Sequence, residues 1–219
     1  MVDSIRIHTV VSDLFSENAY IIYRSEKAAC AIVDPGFDAQ QIAQFVETKG
    51  LAPAAILNTH GHADHIAGNG ALKQRWPECP LIISQKEAPK LTDPVANLSA
   101  QFGAAIISPE ADRTVRDGDV ISIGDLQIKV RETPGHTCGH VVYLLEDESP
   151  MCVFAGDVIF QSSIGRTDFP DGDMETLVRS IRSRLYSLPD DTRVFSGHGP
   201  PTTIGQEKRY NPFVTAEAE

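Results

Sequence analysis

The sequence predicts an α/β protein in which helices pack against β-sheet, and three observations support this fold class. Short apolar runs bounded by turn residues recur along the chain. Amphipathic segments with helical spacing lie between them. Residues of the types that bind metal ions follow several of the runs, where open α/β sheets place their sites. The length of 219 residues suits one sizeable core, so we expect a single domain over 1–214 and a flexible tail over 215–219.

The apolar runs are predicted to be strands because each is short, rich in β-branched or aromatic residues and bounded by turn residues. In chain order they are IRIHTVV, AYIIY, AIVD, AAILN, PLIIS, DVISI, LQIKV, VVYLL, MCVFA and TRVFS. The segment 87–109 contains three prolines and shows little periodicity, which predicts a long loop.

Two segments between the runs predict helices. DAQQIAQFVETKG begins at Asp38 as the N-cap and ends at Gly50. DMETLVRSIRSRLYSLP begins at Asp173 and ends before Pro189. Its apolar residues recur every four positions, at Leu177, Ile181 and Leu185. Both helices are therefore expected to pack one face on a sheet.

Composition and charge exclude several classes of protein. A net charge of −11 disfavours a surface that follows nucleic-acid phosphates, so no nucleic-acid partner is expected. The N-terminus lacks the apolar core of a signal peptide, and no run reaches the length of a membrane helix. The four cysteines include no CxxC pair, which favours reduced thiols and a cytoplasmic location. Nothing in the sequence specifies the oligomeric state.

The stretch NTHGHADHIAG places His60, His62, Asp64 and His65 within six positions. It follows AAILN, so these side chains should leave the end of a buried strand. Helical spacing would put His60 and Asp64 on one face and point His62 elsewhere. A looped turn can direct all four inward, and the cluster therefore predicts a metal site in such a turn.

Three further ligand-type residues each follow a predicted strand and a turn containing glycine. They are His136 in QIKVRETPGH, Asp157 in MCVFAGD and His198 in TRVFSGH. With the first cluster they supply enough ligands for two divalent ions. Imidazole and carboxylate ligands suit zinc, and also iron or manganese. Of the remaining histidines, His8 is expected to have a structural or surface role.

These motifs resemble those of the metallo-β-lactamase superfamily. THGHADH is similar to its THxHxDH motif, and PGHT, AGD and SGHG are similar to its later metal motifs, in the same order. The resemblance implies an αββα sandwich of two mixed sheets flanked by helices, with the metals at one edge. It assigns His60, His62 and His136 to one metal and Asp64, His65 and His198 to the other, with Asp157 bridging them.

Longer stretches resemble the short glyoxalase II-like hydrolases: TPGHTCGH, DVIFQSSIGRTDFPDGD and GHGPPTTIGQEKRYNPF. That resemblance implies hydrolysis of a small-molecule thioester such as S-lactoylglutathione. The longer glyoxalase II enzymes carry a C-terminal helical domain that helps to hold glutathione. This chain ends where that domain would begin, so the thiol half of the substrate is left open.

The mechanism implied by a two-metal site uses a metal-bound hydroxide as the nucleophile. Asp64 belongs to the ligand set, and acts instead as a proton carrier if the second metal is missing. Arg166 is a candidate for binding a substrate carboxylate, because its forked donors suit that geometry. The alternative for Arg166 is a buried salt bridge with Asp168 that orders the loop. His140 either orients a ligand or packs in the core.

Other functions remain open at this point. Persulfide dioxygenases of the same superfamily share GRTDF, and resemblance to them implies one iron held by His60, His136 and Asp157. Hydrolysis of β-lactams is disfavoured, because those enzymes commonly carry cysteine where this chain has Asp157. RNA processing is disfavoured by the acidic charge and by the lack of an added RNA-binding arm. A non-catalytic metal-binding module is the remaining class.

Overall fold

The computed structural model describes residues 4–26 and 28–215 of the chain. Within these ranges the protein forms two six-stranded mixed sheets, a short hairpin and five α-helices. Residues 216–219 of the expected tail lie outside the described residues. Among the residues described, no helix combines the length and apolar character needed to cross a bilayer.

The first sheet has the spatial order β1-β2-β3-β4-β5-β6, which follows the order along the chain. Its strands are β1 (Arg6–Val11), β2 (Asn18–Tyr23), β3 (Ala29–Val33), β4 (Ala52–Asn58), β5 (Leu81–Ser84) and β6 (Arg113–Val115). The first two pairs are antiparallel, and the pairs from β3 to β6 are parallel. The parallel part therefore presents several carboxyl ends at one edge.

The second sheet has the spatial order β14-β13-β10-β9-β8-β7. Its strands are β7 (Val120–Ile123), β8 (Leu126–Glu132), β9 (Val141–Leu145), β10 (Cys152–Gly156), β13 (Arg193–Ser196) and β14 (Thr202–Thr203). Strands β10 and β13 run parallel, and β10 is antiparallel to β9. A separate hairpin consists of β11 (Ile159–Phe160) and β12 (Ser163–Ile164).

The α-helices are short and connect or flank the strands. They are α1 (Ala39–Thr48), α2 (Ala63–Ile66), α3 (Asn69–Arg75), α4 (Met174–Ser180) and α5 (Ile204–Tyr210). A π-helical turn over Ile181–Leu185 continues α4. The segment predicted as a loop over 87–109 contains two 3₁₀-helical turns, Ala88–Thr92 and Ser99–Phe102.

Both predicted helices pack as their apolar spacing requires. On α1, Ile42 and Val46 are buried in a core that includes residues of the first sheet such as Ile32. On α4 and its π-helical continuation, the three apolar residues at four-residue spacing are fully buried against the second sheet. Truncating one of them, Leu177, to alanine would cost about 2 to 5 kcal/mol.

The described chain divides into two compact units. One consists of the chain up to Val115 together with Ser122–Leu126. The other consists of Arg116–Ile121 together with the chain from Gln127 onward. The first contains β1 to β6, the second contains β9 to β14, and β7 and β8 each have residues in both. The expectation of a single domain over 1–214 stays a prediction.

Candidate metal centre

The ligand turn of the first unit begins where two parallel strands end side by side. In the register of β3 and β4, Val33 pairs with Leu57. Asp34 follows β3 directly, and Thr59 and His60 follow β4. Because parallel neighbours end at the same edge, Asp34 lies beside this turn. The backbone N–H of Thr59 donates to Asp34 Oδ1 at 2.8 Å.

Asp34 accepts two more hydrogen bonds with its other carboxylate oxygen. The Thr59 hydroxyl donates to Oδ2 at 2.7 Å, and Nδ1 of His65 lies 3.1 Å from the same oxygen. A second buried carboxylate, that of Glu17, lies 4.0 Å from His65 Nδ1. The turn is thus backed by buried negative charge, which favours binding of a cation.

These hydrogen bonds fix which ring nitrogen carries the proton. Asp34 offers only lone pairs, so His65 donates through Nδ1 and keeps a lone pair on Nε2. Thr59 uses its hydroxyl proton for Asp34, so its oxygen accepts from Nδ1 of His60 at 3.1 Å. His60 therefore also presents Nε2 as a lone pair. Anchoring one nitrogen in this way is typical of metal-binding histidines.

The Nε2 atoms of His60 and His65 each lie near another residue of the cluster. His60 Nε2 lies 3.0 Å from His62 Nδ1. His65 Nε2 lies 3.7 Å from Asp64 Oδ2. The predicted looped turn covers only the start of the cluster, since 63–66 form the helix α2 and place Asp64 and His65 on it. The carbonyl of Asn97 accepts the N–H of Ala63 at the start of that helix, at 2.9 Å.

In the second unit, parallel strands again bring two predicted ligands together. Gly156 of β10 pairs with Ser196 of β13, so the residues that follow these strands are neighbours. His198 Nε2 lies 3.6 Å from Asp157 Oδ2. His136 Nε2 lies 3.7 Å from the same oxygen. One carboxylate oxygen between two imidazoles fits the bridging role that the resemblance assigns to Asp157.

His136 is oriented by a backbone carbonyl. Its Nδ1 lies 2.7 Å from the carbonyl oxygen of Arg166, which can only accept, so Nδ1 carries the proton and Nε2 the lone pair. Gly165 makes this approach possible. A Cβ there would lie 1.8 Å from the carbonyl oxygen of Asp157 and 3.1 Å from His136 Nδ1, so any side chain would displace this loop.

His140 contacts the backbone of Asp157. Its buried Nε2 accepts the Asp157 N–H at 3.2 Å, and its Nδ1 lies 3.1 Å from the Thr133 hydroxyl. Because the N–H can only donate, His140 is neutral with its proton on Nδ1. This geometry agrees with an orienting role, which stays a prediction.

Arg166 forms the salt bridge that was the alternative to a substrate contact. Its Nε and Nη2 donate to the two oxygens of Asp168 at 2.7 and 2.6 Å. The guanidinium also lies 4.1 Å from the ring centroid of Phe169. The pair is exposed rather than buried, with relative side-chain exposures of 58% and 66%. The Arg166 guanidinium lowers the pKa of Asp168 to about 2.

The geometry within each unit fits divalent metal ions. Ligands bound at about 2.05 Å in a tetrahedral site lie about 3.4 Å apart. The separations of 3.0 to 3.7 Å between the nitrogens and oxygens described above agree with this value. Neutral imidazoles and carboxylates are ligands that zinc and iron accept. The residues present therefore fit the metal that the motifs imply.

Sequence reasoning missed the residues that hold these ligands in place. Asp34 could have been found, because it follows an apolar strand just as Asp157 does. The Arg166 carbonyl and Glu87, whose carboxylate accepts the Gly61 N–H, had no detectable signal. Such contacts depend on which loops meet, and local patterns do not encode that. His8, expected to have a structural or surface role, stacks on Phe45 with ring centroids 3.6 Å apart.

The chain is similar to known proteins in both sequence and structure. The family model described as the metallo-beta-lactamase superfamily matches residues 12–198. A probable metallo-hydrolase of Bacillus subtilis, YqgX, is 38% identical over 90% of this chain and 92% of its own length. The hydroxyacylglutathione hydrolase GloC of Haemophilus influenzae is 37% identical over 93% of this chain and 95% of its own length.

Similar solved structures cover almost the whole chain. BLEG-1, described as a B3 metallo-beta-lactamase, has a TM-score of 0.91 at 38% identity and covers 96% of this chain and 100% of its own. TTHA1623, in a di-iron-bound form, has a TM-score of 0.82 at 35% identity, covering 94% and 100%. ETHE1 from Myxococcus xanthus has a TM-score of 0.76 at 30% identity, covering 94% and 83%. The predicted fold class is thereby confirmed.

Proposed function

Because the chain belongs to the metallo-β-lactamase superfamily, we propose that it is a metal-dependent hydrolase that cleaves a thioester such as S-lactoylglutathione. A small-molecule substrate and a cytoplasmic location are part of this proposal. The ligands would be the two sets that the motifs define: His60, His62 and His136 for one ion, Asp64, His65 and His198 for the other, and Asp157 for both.

One observation carries the proposal. His60, His65 and His136 each hold Nδ1 against an acceptor and present Nε2 as a lone pair. An imidazole used for core packing has no need of this arrangement, whereas a metal ligand does. Each of these histidines would bind a divalent ion through Nε2 while Nδ1 stays anchored, which orients the imidazole toward the ion.

Two divalent ions, when bound, lower the pKa of a shared water to about 7 and polarise a carbonyl group. This chain's own residues would hold that geometry. Asp157 would keep one carboxylate oxygen between its two imidazoles, with its backbone fixed by His140. Asp64, with 22% of its side chain exposed, would act as a ligand, or as a proton carrier if one ion is missing.

The name of GloC supports a hydroxyacyl thioester of glutathione as the substrate class, since that relative aligns over almost all of this chain. Arg166 is the proposed contact for a substrate carboxylate. To bind the substrate, the Arg166 guanidinium would have to release the exposed carboxylate of Asp168 and pair with the carboxylate of the substrate instead. Exposed pairs of this kind contribute little to stability, so the exchange would cost little.

Persulfide oxidation by a single iron is the second candidate. The likeness to TTHA1623, which was solved in a di-iron-bound form, supports iron as the metal, and the resemblance to persulfide dioxygenases assigns His60, His136 and Asp157 as the ligands of a single iron. Since BLEG-1 is described as a B3 metallo-beta-lactamase, a β-lactam belongs among the substrates assayed. A non-catalytic metal-binding module is the third class.

The test is metal analysis of the purified protein combined with three assays. Hydrolysis of S-lactoylglutathione is followed at the thioester absorbance, oxygen uptake is measured with glutathione persulfide, and a chromogenic cephalosporin tests for β-lactamase activity. Two ions per chain and thioester turnover that a chelator removes would support the proposal. One iron per chain with oxygen uptake and no thioester cleavage would favour the dioxygenase instead.

The variant Asp157→Ala separates an enzyme from a binding module. In a hydrolase it should lower metal content and reduce turnover by at least about a hundredfold, because the ligand between the two imidazoles is lost. A binding module would lose metal but would have had no turnover in any of the three assays.

A further inference from the structure

A buried ion pair lies against the peptide that joins the first two ligand histidines. Glu87 is fully buried and Lys90 is 8% exposed, and their charged groups lie 3.0 Å apart. Oε2 of Glu87 also accepts the backbone N–H of Gly61, at 2.9 Å. Gly61 stands between His60 and His62. The pair therefore contacts the chain at the centre of the ligand turn.

Stability alone does not explain such a pair. Removing two charges from water costs several kcal/mol per ion, and apolar residues of similar volume often stabilise a core equally well. Glu87 and Lys90 lie at and within the 3₁₀ turn Ala88–Thr92, which the motif-based ligand set does not include. A buried pair of this kind that holds a ligand-bearing turn is better explained by a positioning role.

The packing at Gly61 shows how closely the turn is held. A Cβ on Gly61 would lie 2.6 Å from Cβ of Lys90 and 3.3 Å from the carbonyl oxygen of Glu87. The Gly61 peptide thus packs against the aliphatic part of the Lys90 side chain, and its N–H donates to the Glu87 carboxylate. The packing of Lys90 and the hydrogen bond to Glu87 together fix the position and the orientation of this peptide.

We propose that Glu87 and Lys90 are positioning residues that hold His60 and His62 in the geometry required for metal binding. Glu87 holds the Gly61 N–H, and Lys90 keeps the carboxylate in the rotamer that reaches it. The inference rests on the proposed function, since it concerns the same ligands. Residues that orient metal ligands typically change metal affinity about 10- to 100-fold when they are replaced.

The test compares four variants by zinc binding, measured by competition with a chromophoric chelator, and by the visible spectrum of the cobalt-substituted protein. Glu87→Met removes the acceptor at similar volume and should weaken zinc binding about 10- to 100-fold and shift the cobalt bands. Glu87→Gln keeps an oxygen that can accept the Gly61 N–H, so it should recover most of the affinity.

Asp112 makes the same kinds of contact as Glu87 outside the ligand turn and serves as the control, with 46% of its side chain exposed. Like Glu87, it accepts a backbone N–H, that of Leu81 at 2.7 Å, and the ammonium of a lysine, Lys73, at 2.8 Å. Asp112→Leu removes a comparable set of contacts without touching the ligand turn. It should lower the free energy of unfolding but leave zinc affinity and the cobalt spectrum unchanged.

Gly61→Ala tests the same contact from the other side, in case Glu87→Met does not fold. It should displace the peptide and weaken zinc binding while leaving the ion pair in place. The inference would be overturned if Glu87→Met or Gly61→Ala bound zinc and cobalt like the wild type. It would also be overturned if Asp112→Leu lost as much zinc affinity as they do. A wild-type protein that binds none of zinc, iron and manganese would contradict the proposed function itself, and this inference with it.

Discussion

At the scale of single residues, the candidate centre depends on the hydrogen bonds that orient each proposed ligand. Asp34 accepts the N–H and the hydroxyl of Thr59 and Nδ1–H of His65, and through Thr59 it also orients His60. Its carboxylate has lone pairs for all three donors, and charged acceptors form the stronger hydrogen bonds. One buried side chain therefore sets the orientation of two proposed ligands.

Asp34→Asn should weaken zinc binding about 10- to 100-fold, measured by chelator competition. The amide keeps the volume, and asparagine tolerates the positive φ of 46° at this position, so the backbone should be undisturbed. Its NH₂ group, however, would face one of the three donors. Asp38→Asn is the control, because Asp38 also accepts a backbone N–H, that of Asp13, but lies at the N-terminus of α1 rather than in the ligand turn. Equal affinities in both variants would contradict the role assigned to Asp34.

At the scale of elements, helix α4 is tied to the loop that carries His136. The N–H of Asp173 donates to the carbonyl of Gly135 at 2.7 Å, and its carboxylate caps the helix by accepting the Thr176 N–H at 2.7 Å. Hydrogen bonds from the side chain and the backbone N–H of Thr176 lower the pKa of Asp173 below its ordinary value. The cap thus works best when Asp173 is ionised.

This lowered pKa predicts how acid affects stability. The folded-state pKa lies below the unfolded one, so the contribution is complete above the unfolded pKa and is lost as pH falls through the folded pKa. Urea unfolding from about pH 5 to about pH 3 should show a steeper loss of stability in the wild type than in Asp173→Asn, which caps without titrating. Parallel pH profiles for the two proteins would contradict this assignment.

The elements show how far sequence reasoning reaches. The runs AAILN and MCVFA predicted β4 and β10, because period and composition suffice for short buried strands. The turn of α2 at Ala63–Ile66 was missed, since a helix of one turn has too few residues to show a period. The π-helical turn after α4 was missed as well, because the four-residue spacing of Leu177, Ile181 and Leu185 also suits an ordinary helix.

At the scale of the whole molecule, the proposed ligands come from distant parts of the sequence. The motifs that name them were visible from the sequence, and family membership confirmed the fold class. The contacts that orient them were not visible, because they join segments such as 34 with 65 and 136 with 166. An ion bound by such a set favours the folded chain over the unfolded one.

Metal removal should therefore lower the melting temperature. A ligand present at a thousandfold excess over its Kd stabilises the folded state by about 4 kcal/mol. For a chain of this size that corresponds to a decrease of about 8 to 16 °C when a chelator is added, measured by thermal unfolding. Asp157→Ala should show a much smaller shift. An unchanged melting temperature in the wild type would argue against a bound structural or catalytic ion.

The anchoring of His136 by the Arg166 carbonyl has a consequence for how the protein can diversify. Every amino acid supplies a main-chain carbonyl, so the identity of residue 166 can vary while the imidazole keeps its orientation. The exposed guanidinium and the structural anchor thus belong to one residue but are separable by mutation. Because Arg166 is the proposed contact for a substrate carboxylate, a saturation library at position 166 should change substrate preference while the anchor of His136 is kept.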